Sequence, residues 1–472
     1  MLEGLEIAEI KLSEAFKNKD LRVDSDFWTK EPYRNPKLKY ERIGNVLKKA
    51  QYGISISMNE DNIGYPIYRM NEIHNMLTDL NVDKSADISR EEFLKFKLKD
   101  RDVLFNRTNS YEWVGRTGLY RQVEKEEYTF ASYLVRFVPD ESIINPEYLT
   151  AFLNTKYGVN DIKRRSRQSI NQTNVNPEEV KEILFPILNK SIQLEIKNCF
   201  DTAHESRLKS KQLYQQAETL LLETLGLKDS QPSTDPINVK SFKESFLATG
   251  RLDAEYYQKK YEEVESLLKS NGFKLISEIS KLINYGTVPT SPYTEDGSGI
   301  PYIKGMNLKN TNITTEKLDR IINTENLPEK FYTKKGDIII SQMGTVGDVG
   351  VVRDEVGWLF ASFTIRVRLK NNSGFDPVFL GLYIQNIAKP YYLYRNIAQA
   401  SVRQNTDLPT IRNLYVPIVD YTKQQEIAEL VDESFRLKNQ SEQLLETAKR
   451  AVEIAIEKDE NEALKFIESV SA

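Results

Sequence analysis

The chain has 472 residues, 40% of them hydrophobic, which is enough for two domains that each bury a core. Its single cysteine excludes a disulfide scaffold, and the lack of a long apolar run excludes a membrane-spanning helix. The acidic opening of the sequence argues against a secretory leader, so the chain is predicted to be cytoplasmic. The net charge of −4 excludes a protein that is basic all over, but it leaves room for a local cationic face that binds nucleic acid.

The predicted elements of the first half are short strands followed by helices. Residues 103–105 and 133–138 are β-type runs between Gly and Asn turns. Asn145 and Pro146 then mark a helix start, because Asn is a favoured N-cap and proline needs no hydrogen-bond partner in the first turn. A polar turn, a short strand ending at Pro186 and a long helix complete the half.

The second half repeats this order. The β-type runs at 338–340 and 364–369 precede a helix start at Asp376 and Pro377. A short strand ending at Pro417 then leads into another long helix. The sequence therefore predicts an α+β fold with two similar mixed α/β domains and two long helices.

The domain boundaries follow from the helix periodicity and from a Pro-, Ser- and Asp-rich stretch between the halves. The predicted plan has a first domain at 1–188, a long helix at 189–228, a linker at 229–236, a second domain at 237–419, a second long helix at 420–458 and a C-terminal tail at 459–472.

The two long helices carry the clearest periodicity. Apolar and small residues recur in alternating steps of three and four, a 3.5-residue period typical of helices that wrap around a partner. Equivalent positions lie 231 residues apart, as Ile196 and Ile427 do. The predicted seam comprises Ile196, Cys199, Ala203, Leu213, Ala217, Leu220, Ile427, Leu430, Leu437, Leu444, Ala448 and Ala451.

Shorter motifs repeat upstream of the helices. Arg-Val-Asp at 22–24 corresponds to Arg-Leu-Asp at 251–253, and Tyr-Gly at 52–53 corresponds to Tyr-Gly at 285–286. The offset is constant in the helices and varies elsewhere, because loops tolerate insertions while a slip in a heptad would rotate the seam away from its partner. We infer a gene duplication and a pseudo-twofold chain.

Nothing in the sequence indicates a catalytic centre. There is no Walker loop, and the glycine cluster at 344–350 lies between two strands, which favours a hairpin over a cofactor-binding loop. The only histidines, His74 and His204, have no metal-ligand neighbours in sequence. We therefore expect no enzyme activity, no bound metal and no cofactor in this chain.

Polar turns carry the signal for nucleic-acid binding. Arginine can bond guanine at two atoms, Asn and Gln can do the same to adenine, and Lys and Arg neutralise phosphates. The candidate DNA-binding residues are Arg107, Asn109, Arg116, Lys163, Arg164, Arg165, Arg167, Gln168, Asn171, Gln172 and Asn174 in the first half, and Lys304, Gln342, Thr345, Arg395, Arg403, Gln404 and Asn405 in the second. Such residues are also common in solvated loops, but their recurrence at corresponding places favours DNA contact.

The halves share a framework and differ in these turns, which are less basic in the second half. If both halves bind DNA, they should recognise different sequences. The sequence therefore predicts a two-part, asymmetric target.

This organisation resembles the specificity subunit of Type I restriction-modification systems over essentially the whole chain. The resemblance lies in the duplication and in the order of Arg-Leu-Asp-Ala-Glu-Tyr-Tyr at 251–257, Gly-Thr-Val-Gly at 344–347 and the Gln-bearing turns. It implies two target-recognition domains separated by long helices that pack antiparallel as a coiled-coil spacer. It also implies docking of methyltransferase subunits, two of them, and of restriction subunits on double-stranded DNA, with S-adenosylmethionine and ATP used only by those partners.

Two alternatives remain open. The chain could serve a related system in which methylation and cleavage reside in one fused partner. From a different class, it could be a coiled-coil scaffold that joins two protein-binding domains.

Overall fold

The protein forms two compact units in a computed structural model. The structure describes residues 7, 9–16, 21–123, 125–294, 296–315, 318–322, 327–397 and 404–471. The first unit comprises Met1–Leu208 and Lys438–Ala472, and the second comprises Lys209–Leu437. The chain therefore enters the second unit within one long helix and returns to the first within the other.

The elements up to residue 224 are mostly short strands. The strands are β1 Tyr40–Arg42, β2 Leu47–Tyr52, β3 Tyr65–Tyr68, β4 Ile73–His74, β5 Leu77–Thr78, β6 Ser85–Ala86, β7 Val103–Asn106, β8 Thr108–Asn109, β9 Thr117–Leu119, β10 Thr129–Phe130, β11 Leu134–Pro139, β12 Arg167–Gln168, β13 Thr173–Asn174 and β14 Leu184–Pro186. The helices are α1 Leu12–Ala15, α2 Ser25–Thr29, α3 Arg90–Phe96, α4 Pro146–Asn154, α5 Lys156–Arg165, α6 Pro177–Lys181 and α7 Lys190–Thr224.

The rest of the chain repeats this pattern. The strands are β15 Phe273–Leu275, β16 Ser280–Tyr285, β17 Ile300–Ile303, β18 Leu308–Lys309, β19 Asn312–Ile313, β20 Asp319–Ile321, β21 Ile338–Ser341, β22 Val349–Val351, β23 Leu359–Phe360, β24 Thr364–Leu369 and β25 Tyr415–Pro417. The helices are α8 Phe246–Thr249, α9 Lys259–Lys269, α10 Ile276–Ile279, α11 Pro377–Tyr383, α12 Tyr394–Asn396, α13 Leu408–Arg412, α14 Tyr421–Glu457 and α15 Glu460–Ser471, and a π-helical segment occupies Ile384–Leu393.

The sheets of the two units have matching topology. The first unit has a six-stranded sheet in the order β2-β11-β7-β9-β5-β4, and the second has a four-stranded sheet in the order β16-β24-β21-β22. The order β10-β3-β6 corresponds to β23-β17-β20, with one parallel and one antiparallel pairing in each. The pair β1-β14 corresponds to β15-β25. The duplication inferred from sequence is therefore also present in the strand pairing.

The central strands are apolar on both faces because both faces of each sheet are covered. In β7, Val103 and Phe105 face a core that includes helix α4, while Leu104 faces a second cluster around Tyr68. The predicted strands and the helix start at Pro146 are confirmed. The predicted N-cap differs in detail, since the side chain of Asn145 bonds to the main chain of Gln193 instead of capping α4.

The second unit bears out the corresponding predictions. Asp376 caps α11 through its carboxylate, which accepts hydrogen bonds from the Val378 and Phe379 amides at 2.8 and 3.1 Å. The glycine-rich residues 344–350 lie between β21 and β22, which pair antiparallel with Ile340 opposite Val349. The hairpin prediction for this segment is confirmed.

Each unit contains half of each long helix. In the first unit, the start of α7 packs with the end of α14, and in the second the end of α7 packs with the start of α14. This antiparallel pairing confirms the expectation for the long helices. In the second unit a hydrogen bond also joins the two helices, because the Ser434 hydroxyl donates to the Ser210 carbonyl at 2.8 Å.

The seam is wider than the predicted one. Eight predicted seam residues are buried: Ile196, Cys199, Ala203, Leu213, Ala217, Ile427, Ala448 and Ala451. Four are only half-buried: Leu220, Leu430, Leu437 and Leu444. Their neighbours Leu221, Val431 and Leu445 are buried instead. The reason is that each helix packs against its domain as well as against its partner helix. Its apolar stripe is therefore wider than the two positions per seven residues that a coiled coil alone requires.

The C-terminal residues 459–472 are not the predicted tail. Residues 460–471 form α15, whose Ala463 and Ile467 are buried in the core of the first unit. The sequence does not indicate this helix, because its periodic segment is short and the corresponding residues 229–240, which the structure describes, form no helix.

Candidate nucleic-acid interface

Two polar segments that are distant in sequence form one small sheet in the first unit. Strand β8 follows the central strand β7, and it pairs antiparallel with β13, with Asn109 opposite Thr173. Strand β13 in turn pairs with β12, with Asn174 opposite Arg167. The structure therefore joins the candidate residues near 107 and near 170 into a single surface, which the sequence did not predict.

The tip of this sheet is a β-hairpin that projects polar side chains. The Ser169 amide donates to the Gln172 carbonyl at 2.8 Å and closes the turn. Arg167, Gln168, Asn171 and Gln172 are exposed. A two-stranded ribbon of this width fits the major groove of B-form DNA, and its amide side chains match the donor and acceptor pattern of base edges.

Three further candidates lie at the base of the hairpin. Asn174 accepts a hydrogen bond from the Thr108 hydroxyl at 2.6 Å, and the Arg107 guanidinium lies over the Tyr52 ring at 5.2 Å. The Arg116 guanidinium stacks on Trp113 at 3.5 Å and donates to the Ile73 carbonyl. These residues are half-buried, so they orient the surface as well as contribute to it.

Arg164 and Arg165 are not DNA contacts, contrary to the sequence-based hypothesis. Their side chains are 5% and 6% exposed, and both guanidinium groups pair with Asp161 at 2.6 and 2.9 Å. Arg165 also pairs with Glu179 at 2.9 Å. A basic run in sequence indicated a cationic surface, but helix α5 turns these two residues inward, where buried carboxylates neutralise them.

Lys163 is also held by the protein. Its ammonium group donates to the main-chain carbonyls of Tyr111, Glu112 and Val114. Burial lowers the pKa of Lys163 to about 8. The side chain therefore holds the loop that carries Trp113, contrary to its predicted role as a DNA contact.

The second unit brings together the corresponding segments. Met343, just after β21, forms an antiparallel bridge with Asn405, and the Thr406 amide donates to the Gln342 carbonyl at 3.0 Å. Thr345 and Gln404 are exposed beside this bridge. The loop after the central strand and the polar turn therefore meet in both units.

Two candidates of the second unit do not join this surface. Lys304 pairs with Asp319 and lies over the Tyr293 ring at 4.1 Å. Arg395 pairs with Glu265 at 2.7 Å and donates to the Tyr256 carbonyl, so it is a structural residue. Arg403 lies outside the described residues.

Sequence reasoning missed apolar residues on these surfaces. Ile170 at the hairpin tip is 100% exposed. Tyr133 and Phe363 are exposed at corresponding positions, and their carbonyls accept hydrogen bonds from the Arg107 and Gln342 amides. The only signal was their place in two matching Phe-Ala-Ser segments, which indicated duplication but not exposure.

Within the described residues, no group of three or more His, Cys, Asp or Glu side chains is arranged to hold a metal ion. In the same part of the chain, no helix has the length and apolar character needed to cross a membrane.

Comparison with known proteins adds an independent observation. Residues 270–447 match the family described as the Type I restriction modification DNA specificity domain. The putative type I restriction enzyme MjaX specificity subunit of Methanocaldococcus jannaschii is 24% identical over 422 residues, covering 86% of this chain and 90% of that protein. The EcoKI specificity subunit of Escherichia coli K12 is 26% identical over 161 residues, 34% of each chain.

Among solved structures, the S subunit of a Type I restriction-modification system from M. genitalium covers 92% of this chain and 97% of its own, with 13% identity and a TM-score of 0.44. The match to residues 270–447 and the long alignment with a specificity subunit confirm the resemblance seen in the sequence. Residues 270–447 are thus similar to the Type I restriction modification DNA specificity domain, and the chain over most of its length is similar to a type I restriction enzyme specificity subunit.

Proposed function

We propose that this chain selects the DNA target of a Type I restriction-modification complex and that each unit reads one half of a two-part, asymmetric site. The proposal rests on one observation. In both units a polar turn pairs with the loop after the central strand, on matching frameworks but with different residues. Different side chains on equivalent supports are what a reader of two unlike half-sites requires.

In the first unit, the hairpin of β12 and β13 enters the major groove. Gln168, Asn171 and Gln172 supply amide groups for base edges, and Arg167 supplies a cation for phosphate or guanine. Each phosphate neutralised contributes roughly 0.9 to the slope of log affinity against log salt. In the second unit, Thr345, Gln404 and Asn405 take the corresponding positions.

The catalytic partners supply the chemistry. Methyltransferase subunits bring S-adenosylmethionine and restriction subunits bring ATP, so the chain itself needs neither and acts with them on cytoplasmic DNA. We propose that two methyltransferase subunits dock, because each unit exposes equivalent apolar side chains ahead of its Arg-x-Asp motif. These side chains are Ile7, Leu12 and Phe16 in one unit and Ile237, Phe242 and Phe246 in the other.

This stoichiometry can be tested at the surface of one unit. Replacing Phe242 and Phe246 by serine should reduce the co-purified ratio from two methyltransferase subunits per chain to one. Ile322→Ser, which alters an exposed apolar residue elsewhere in the second unit, is the control and should keep the ratio at two. An unchanged ratio in the double variant would remove these segments from the docking surface.

The paired helices are proposed to set the number of base pairs between the half-sites. Deleting seven residues from α7 and the matching seven from α14 shortens each helix by about 10 Å at 1.5 Å per residue. At about 3.4 Å per base pair, the permitted spacer should shorten by about three base pairs. Methylation mapping that shows the original spacer would contradict this proposal.

The function itself is tested by mapping methylated adenines in cells that have or lack this gene. We expect a two-part, asymmetric motif with a fixed spacer that disappears when the gene is removed. The purified chain should retard duplex DNA carrying that motif in the presence of its methyltransferase partner. An unchanged methylation map, together with a stable homodimer that is indifferent to DNA, would instead support the scaffold alternative.

A further inference from the structure

We propose that the Arg-x-Asp pair of each unit is a positioning clamp. It fixes the base of the polar turn that is proposed to contact DNA in the same unit, termed the reading turn: residues 167–174 in the first unit and 404–406 in the second. The pairs are Arg22 with Asp24 and Arg251 with Asp253. The proposal rests on the proposed function, because it assigns these residues to the geometry of the reading turns.

In the first unit, Arg22 joins its own motif to the end of helix α5. Its guanidinium forms a two-point ion pair with Asp24 at 2.5 and 2.8 Å. The same group donates to the carbonyls of Arg164 and Arg165 at 3.2 and 3.1 Å. These carbonyls belong to the last turn of α5, directly before strand β12 of the reading hairpin.

The second unit has the same contacts with other residues. Arg251 pairs with Asp253 at 2.8 and 2.6 Å, and it donates to the carbonyls of Asn396 and Ile397 at 3.4 and 3.2 Å. Asn396 ends helix α12. Residues 398–403 lie outside the described part of the chain, and Asn405, which follows Gln404, forms the bridge of the second reading surface.

An aromatic residue completes each clamp. The Arg22 guanidinium lies 5.1 Å from the Phe27 ring centre, and that of Arg251 lies 4.5 Å from the Tyr256 ring centre. A second arginine lies over the same ring in each unit: Arg164 lies 4.6 Å from the Phe27 ring centre, and Arg395 lies 4.5 Å from the Tyr256 ring centre. The helix that leads into each reading turn is thus held through both its main chain and one of its side chains.

The chemistry suits positioning. The last carbonyls of a helix have no partner within the helix, and they attract a cation at that end. Arginine offers a planar fork of donors that can hold a carboxylate and two carbonyls together, which the single ammonium of lysine cannot do. Hydrogen bonds from Arg22 and Arg251 also lower the pKa of Asp24 and Asp253, so both carboxylates stay charged in the clamp.

The clamp predicts an effect confined to one half-site. Arg22→Lys and Arg251→Lys keep the positive charge but remove the planar set of guanidinium donors. Affinity of each variant, in complex with its methyltransferase, is measured for the mapped target and for targets altered in either half. We expect Arg22→Lys to reduce discrimination by about tenfold at one half-site and Arg251→Lys to do so at the other. Asp24→Asn weakens the same ion pair and leaves the size of the side chain unchanged, so it should reproduce the pattern of Arg22→Lys.

Arg207→Lys is the matched control. Arg207 also joins a carboxylate to a carbonyl in the first unit, donating to Asp79 at 3.0 Å and to the Thr78 carbonyl at 2.8 Å, but it lies on α7 and holds no reading turn. It should leave discrimination unchanged at both half-sites. If Arg22→Lys and Asp24→Asn lower affinity for all targets by one common factor, the clamp is merely structural and the inference is wrong. If the unaltered chain binds the mapped target and the altered targets equally well, the proposed function is wrong.

Discussion

The two polar surfaces that are proposed to contact DNA have the same supports but different side chains. In both units a loop after the central strand meets a polar turn, and an Arg-x-Asp pair holds the helix before that turn. The first unit presents a paired hairpin with Arg167 and a fully exposed Ile170, whereas the second presents Thr345 and Gln404. The features that are the same are mostly buried, and those that differ are mostly exposed. The exposed side chains of these surfaces can therefore diverge without a change in the buried framework.

The buried frameworks also differ, at one ion pair beneath the central sheet. Asp102 pairs with Arg136 at 3.0 Å in the first unit. The equivalent Asp337 pairs with two arginines, Arg366 at 3.4 Å and Arg368 at 2.6 Å. Val138 stands at the position that corresponds to Arg368. The second unit therefore places one additional, half-buried arginine beside the equivalent carboxylate.

The largest expected effect follows from this difference. Asp337→Ala leaves Arg366, which is fully buried, without a carboxylate partner, and burial already lowers the pKa of Arg366 to about 10. We expect a loss of about 4 to 5 kcal/mol in the free energy of unfolding, measured by chemical denaturation. The matched variant Asp102→Ala should cost about 3 kcal/mol, since one arginine is affected instead of two. Equal losses of stability in the two variants would show that Arg368 does not add to the cost of removing the carboxylate.

Neighbouring arginines of the first unit should behave in opposite ways. Arg165→Ala removes a partner from two buried carboxylates, so we expect it to reduce stability by about 3 kcal/mol. Arg167→Ala, on the exposed hairpin, should leave stability unchanged and lower the salt slope of DNA binding by roughly 0.9. Denaturation and salt titration of both variants measure the contrast. A stability loss for Arg167→Ala would place it in the framework.

The paired helices should differ in their response to acid. His204 of α7 is buried, and its counterpart 231 residues later is Phe435. Burial, together with the charges of Arg121 and Arg207, lowers the pKa of His204 to about 4. Below pH 6.5 the unfolded chain takes up a proton that the folded chain does not, so stability should fall between pH 6.5 and pH 4, by about 3 kcal/mol at most.

His204→Phe copies the residue of the second helix and should remove this part of the acid sensitivity. The measurement is chemical denaturation of both proteins at pH 7 and pH 4.5. Parallel losses of stability in the two proteins would show that other groups control the acid response.

The smallest expected effect concerns the hydroxyl contact between the helices. Ser434 donates to the Ser210 carbonyl and lies 3.1 Å from the Ser210 hydroxyl, while Ala203 stands at the position equivalent to Ser434. Ser434→Ala should therefore cost about 1 kcal/mol in the free energy of unfolding, since it leaves one buried hydroxyl with fewer partners. A gain in stability would indicate that the closer packing of alanine outweighs the lost hydrogen bond.

Sequence patterns predicted the framework well because it depends on local rules. Strand runs such as 103–105, the proline-marked start of α4 and the 3.5-residue helix period are each encoded by neighbouring residues. The internal repeat then linked these elements into two matching units. The half-burial of Leu220 and Leu430 was not foreseen, because it depends on contacts with a domain instead of a partner helix.

The site was harder to predict because burial depends on tertiary contacts. Arg164 and Arg167 have the same chemistry in the sequence, but one pairs with Asp161 inside the unit and the other lies on the hairpin. Likewise, the residues around each Arg-x-Asp motif do not indicate that the arginine donates hydrogen bonds to carbonyls more than 140 residues away in sequence. A sequence repeat can indicate that a motif matters, but its role depends on the residues that fold against it.

The division of the chain into a continuous and a discontinuous unit has a consequence for its synthesis. Residues 209–437 contain all of the second unit, whereas the core of the first includes Leu445, Ala451 and Ile467. Because domains generally fold as units while the ribosome releases them, the later-encoded unit can complete its core first. The first unit must wait, with part of its apolar surface uncovered, until residues 438–467 have left the ribosome.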